Sequence, residues 1–160
     1  MRALLPILVV LAATGCCFGD FARGASAAVS LQTECEAVIT TANAATARVE
    51  SMPDPLAGID EPTPEQIAGS MEPLAQVYDQ AAIDLAAIPV TNPALGAQRD
   101  ALGALYREGG ATLRAQAVVM ANGMRSGDLA AIQGAMAAAE ALGPREDAII
   151  IELNRVCSRQ

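Results

Sequence analysis

From Leu31 to Met52 the apolar residues fall at alternating steps of four and three: Leu31, Cys35, Val38, Ala42, Ala45, Val49 and Met52. Only a helix gathers that spacing on one face, and a sustained seven-residue repeat lets a helix pack lengthwise against neighbours. The same alternation returns at Ile67, Met71, Leu74, Tyr78, Ala81, Leu85 and Ile88. It is rougher at Leu95, Leu102, Leu105, Leu113 and Met120. A last stripe runs through Leu129, Ile132, Met136, Ala139, Gly143, Ile150, Leu153 and Cys157, with Glu146 the one charged residue in phase. Hydrophobic residues make up 52% of the chain but aromatics only 2%, so the core must be aliphatic with alanine as spacer. Sandwich sheets draw on aromatic and β-branched residues, whereas this palette suits helices. The expected fold is all-α: an antiparallel up-down-up-down four-helix bundle.

Punctuation residues set the expected boundaries. Pro53 disfavours helical backbone at Met52 and ends the first helix, after which PDPLAGIDEPTP reads as an acidic, aperiodic connector. Thr63-Pro64-Glu65-Gln66 carries a capping hydroxyl, a first-turn proline and the Gln of a capping box. Pro73 should kink the second helix, unless Ser70 caps it anew, and Pro89 ends it. Asn92-Pro93 opens the third helix, expected to run to Asn122-Gly123. Within it Gly109-Gly110 costs about 1 kcal/mol per glycine relative to alanine, which reads as a close helix crossing or a bend. Ser126 is the expected cap of the fourth helix, and Gly143-Pro144 should split or kink it. There is no tandem repeat of solenoid length.

The N-terminus reads as an export leader: Met1-Arg2 and the apolar run ALLPILVVLAATG, shorter than a membrane span. Ala12-Ala13-Thr14-Gly15-Cys16 resembles the lipobox of bacterial lipoproteins, departing from it where Ala13 stands in place of the preferred Leu. The resemblance implies a diacylglyceryl group on Cys16, cleavage before it, and a protein anchored in a bacterial cell envelope. Residues 1–15 are then the signal peptide, 16–28 a flexible tether and 29–160 a single helical domain. The alternative exit is Ala25-Ser26-Ala27, a signal-peptidase pattern that makes 1–27 the leader and releases a soluble secreted or periplasmic protein. Release leaves an even pair of cysteines, whereas lipidation leaves Cys17 as an odd thiol. Lipidation at Cys16 is the reading adopted.

Two cysteines remain on the helical stripes, Cys35 near the start of the first helix and Cys157 near the end of the last. In an antiparallel four-helix bundle those two ends share a pole. Facing stripe positions there bring Cα atoms within bonding range, and an exported domain permits oxidation. A Cys35–Cys157 disulfide is therefore expected.

The residue inventory removes most chemistry. There is no His and no Lys, so no Ser-His, Cys-His or Ser-Lys pair and no Schiff base can form. Di-iron bundles and c-type haem also need His, and zinc at Cys35 and Cys157 would lack further soft ligands. Asp54, Asp60, Glu61 and Glu65 crowd the first connector but match no calcium loop and read as solvated surface. No enzyme activity and no cofactor are expected. Cutting before Cys16 leaves nine arginines against 18 acids, a net charge of −9; such a surface favours solubility and argues against nucleic acid. Tyr78 and Tyr106 read as core residues with hydroxyls reaching water, and Met52, Met71, Met120, Met124 and Met136 chiefly as core filling. What remains is an envelope lipoprotein whose bundle binds a partner. A carrier of a small apolar ligand or a purely structural protein are the alternatives, the first favoured by a pocket between helices, a protein partner by an exposed apolar patch.

Overall fold

The computed structural model describes residues 25–158, with side chains from residue 30. The leader, Cys16 and Cys17 lie outside the described residues, and with them the lipidation and cleavage expectations. Six helices follow one another: α1 Ala25–Ser51, α2 Pro64–Ser70, α3 Glu72–Ala86, α4 Pro93–Ser126, α5 Leu129–Glu140 and α6 Gly143–Cys157. They form four antiparallel legs, α1, α2–α3, α4 and α5–α6, and no strand occurs among the described residues. α4 is the central leg, packing against α2, α3, α5 and α6, while α1 packs on α3 and meets α6.

The caps explain most boundaries. Thr63 Oγ1 accepts from Gln66 N at 3.3 Å and Gln66 Oε1 accepts from Thr63 N at 2.8 Å, closing the capping box of α2. Asn92 Oδ1 accepts from the N–H groups of Ala94 and Leu95, both at 3.0 Å, and starts α4 with Pro93 in its first turn. Pro73 breaks the second leg at Met71, because proline has no N–H to give and its ring crowds the carbonyl four residues back. Ser70 does not cap α3; its hydroxyl donates to Ile67 O inside α2. Gly143-Pro144 separates α5 from α6. α1 starts at Ala25, inside the stretch read as tether.

Two expectations about the third and fourth legs are corrected. α4 does not stop at Asn122-Gly123. It continues to Ser126, and Gly127 ends it in the left-handed conformation at φ 72°. Gly123 is needed for closeness instead: a Cβ there would stand 2.8 Å from Ile132 Cγ1 and 3.0 Å from Asp128 O. Ser126 donates back to Asn122 O and Gly123 O, and the cap of α5 is Asp128, which accepts from Ala131 N at 3.0 Å. The fourth heptad does not hold through α5 either. Leu129 is 71% exposed and Met136 50%, while Ala135 and, in part, Ile132 face α4. The Gly143-Pro144 break resets the helical phase, so stripe positions before it no longer share a face with those after it.

Gly109-Gly110 mark a close crossing, and α4 runs unbroken through them. A Cβ at Gly110 would lie 3.1 Å from Ala75 O and 2.7 Å from Asp79 Oδ1, so α3 and α4 approach backbone to backbone.

Candidate functional site

Cys35 and Cys157 are joined, with Cα atoms 5.9 Å apart across a sequence separation of 122. The bond staples Cys35, in the third turn of α1, to Cys157, the last residue of α6, and belongs to an oxidising compartment rather than a reducing cytoplasm. At the same pole Glu34 ties α1 to the α3–α4 loop, accepting from Thr91 Oγ1 at 2.6 Å and Asn92 N at 3.3 Å. Those hydrogen bonds, Thr91's first, hold its carboxyl below the usual range. Around this pole lies the closed core: Val38, Leu85, Leu95, Leu102 and Leu153 are the largest fully buried side chains.

The core does not stay closed along the molecule. α1 ends at Ser51, with Ala45 in the same buried cluster as Ala81 and Leu85, and Arg48 paired to Asp84 at 3.0 Å. Those partners lie in the C-terminal half of α3. Beyond them the three remaining legs continue: α2 with the start of α3, the second half of α4, and α5. Burial along one stripe of α4 records the loss. Leu95, Leu102 and Tyr106 are buried, Leu113, Ala117 and Met120 half-buried, and Met124 exposed. The second leg repeats the gradient, from buried Leu85 and Ala81 to half-buried Tyr78, Leu74, Met71 and Ile67. So does the last, from buried Val156 and Leu153 to half-buried Ile149 and Leu142. The expectation that the methionines fill the core is corrected here: none of Met52, Met71, Met120, Met124 and Met136 is fully buried, and Met124 and Met136 are exposed. Small residues close the helix contacts in this half, namely Ala75, Gly110, Ala121, Gly123 and Ala135, together with the buried Gln116, whose Nε2 donates to Ala135 O.

Between the closed and open halves sits a polar group that the heptad reading passed over as a mere interruption. Tyr78 and Tyr106 meet edge to face, ring centroids 5.6 Å apart. Tyr106 Oη reaches Glu146 Oε1 at 3.4 Å instead of water. Burial pushes the Glu146 carboxyl up, with Asp147 adding to the rise and the Tyr106 hydroxyl opposing it. Burial likewise raises both tyrosines, helped by the Glu146 charge. The signal available in the sequence was an acid in core phase opposite the domain's two aromatics.

The acidic residues of the connector do not converge. Asp54 accepts from Leu56 N at 2.9 Å in a local turn, and Glu65 pairs across to Arg125 at the end of α4. That hydrogen bond holds the Glu65 carboxyl below its usual range. Arg114 holds both Glu72 at 3.0 Å and Asp79 at 2.7 Å. Among the described residues no three His, Cys, Asp or Glu are placed to hold a metal ion, and no helix is long and apolar enough to cross a membrane.

No family model, curated protein or solved structure matches this chain.

Proposed function

We propose that the chain is a non-enzymatic bacterial envelope lipoprotein, anchored through lipid on Cys16, whose acidic bundle binds a protein partner. The observation that supports a binding role is the open half of the bundle. There Val118, Met124, Leu129 and Met136 are 61%, 38%, 71% and 50% exposed, and exposed large apolar side chains are the material of interaction surfaces. The support for anchorage is the lipobox-like Ala12–Cys16 stretch and the disulfide, which favours export. On this reading the tether enters at the start of α1, at the disulfide end of the bundle, and the open half faces away from the membrane. The absence of His and Lys supports a role without proton-transfer catalysis.

Two measurements test it. The intact mass of the mature protein should show a diacylated Cys16 as first residue, and Cys16→Ser should move the protein to the soluble fraction. A mature N-terminus at Ala28 refutes the anchor. A photo-crosslinking residue at Leu129 should give a discrete adduct in intact envelopes, where one at exposed Asp100 of the disulfide half gives none. Equal labelling at both refutes the binding module, and a reproducible turnover abolished by Asp60→Asn or Glu65→Gln refutes the non-enzymatic class.

A further inference from the structure

We infer that the open half of the bundle is a docking trough for a basic amphipathic helix, which takes the place of the fourth leg where α1 ends. The inference rests on the binding-module reading above and names the partner's chemistry.

The stripes of α3 and α4 lose burial in the same direction and at the same level, at Tyr78 on α3 and just beyond its neighbour Tyr106 on α4. That pattern arises when one member of a bundle is missing while the others continue. The gap therefore has the shape of a helix, and side chains at heptad spacing already line it. From Leu113 to Met124 it runs roughly 17 Å, about three helical turns. Half-buried Met71 and Met120 and exposed Met124 lie on these stripes, and methionine adapts its unbranched chain to whatever packs on it. Helix-in-groove recognition uses this combination of an apolar trough and i, i+3, i+4, i+7 anchors.

The connector does not supply the missing helix. Residues 54–59 form turns closed by Ala57 N to Asp54 O and Ile59 N to Leu56 O. The mature N-terminus cannot reach the gap: nine residues, 16–24, span at most about 32 Å, while α1 alone is about 40 Å long.

Charge selects among outside occupants. Residues 53–79 and 110–140, which build this half, carry eight acids and two arginines, a net charge of −6. Both arginines are already committed, Arg125 to Glu65 and Arg114 to Glu72 and Asp79. Asp60, Glu61 and Glu140 are exposed. A second copy would bring −6 against −6, whereas a helix with lysine or arginine flanking its apolar face meets complementary charge.

The test uses the full mature protein with 13C-labelled Met methyls and two synthetic 14-residue amphipathic helices, one of Leu and Lys, the other Leu and Glu in the same pattern. The basic peptide should bind saturably, shift the Met71, Met120 and Met124 signals more than Met52, and weaken at least tenfold with added salt. Met124→Glu should weaken it at least tenfold, and Asp60→Asn with Glu61→Gln, changes confined to the exposed connector, should weaken it severalfold. Equal binding of the acidic peptide, or shifts that leave Met120 and Met124 unmoved, would overturn the inference. So would dimerisation of the free protein through those same methyls. A crosslink at Leu129 in envelopes without peptide binding removes the basic helix and leaves the binding module. Peptide binding without a crosslink supports the trough and removes only a partner resident in the envelope.

Discussion

Adding one methyl group at Gly110 should destabilise the protein, although the same change one residue earlier should stabilise it. In an exposed helix interior, Gly→Ala gains about 1 kcal/mol. Gly134 in α5 has no neighbour within 4 Å of the place a Cβ would take and should show that gain in full. At Gly109 the nearest atoms are those of the Tyr78 ring, 3.5 Å away, an ordinary contact. At Gly110 the added carbon meets Asp79 Oδ1 at 2.7 Å and Ala75 O at 3.1 Å. Asp79 can swing aside only by leaving Arg114, an exposed ion pair worth about 0.2–1 kcal/mol. Ala75 O is backbone, so α3 must move off α4, and overpacking of that kind costs about 1–3 kcal/mol. The costs exceed the helical gain by about 1 kcal/mol. Gly109→Ala and Gly110→Ala should thus differ by about 2 kcal/mol, with opposite signs. Urea unfolding followed by circular dichroism reads the difference as midpoints displaced on either side of wild type, at unchanged slope. If Gly110→Ala raises the midpoint as much as Gly134→Ala does, α3 and α4 do not cross backbone to backbone at this glycine.

Reducing the Cys35–Cys157 bond, or replacing both cysteines by serine, should cost about 4 kcal/mol in the chain-entropy model, given the long loop it closes; thermal unfolding with and without reductant measures it, and an unchanged midpoint refutes it. Glu146→Gln should stabilise the protein at neutral pH. The buried carboxyl titrates above its ordinary value, so its contribution is fully present at low pH and is lost as pH rises through that raised value. The advantage of the Gln variant should therefore open on going from acid to neutral pH, and a gap independent of pH would show that the charge is not the cause. Asn92→Ala removes the acceptor for two N–H groups at the start of α4 and should cost about 1 kcal/mol, with Asn92→Asp, which keeps a capping oxygen, as the control in the same denaturation series.

Local chemistry was legible in the chain itself. Alternating steps of four and three, the Thr63 capping box, Asn92-Pro93 and Gly143-Pro144 act within one or two helical turns, so they specify helices and breaks wherever the rest of the chain goes. The disulfide was legible as well, because antiparallel legs put Cys35 and Cys157 at one pole whatever the details of packing. Other features depended on what stood opposite. Gly123 and Gly127 look alike as residues, but Ile132 presses on the first and a left-handed turn requires the second. Leu129 and Met136 keep a heptad phase that the break before α6 makes irrelevant. Glu146 interrupts a stripe on paper and in the fold faces the two tyrosines. The candidate site was the least legible of all, since periodicity tells which face of a helix is apolar and cannot tell whether a neighbour covers it. That was decided by length: α1 stops at Ser51 while α4 runs on to Ser126, and the apolar stripes beyond that level have no fourth helix to bury them.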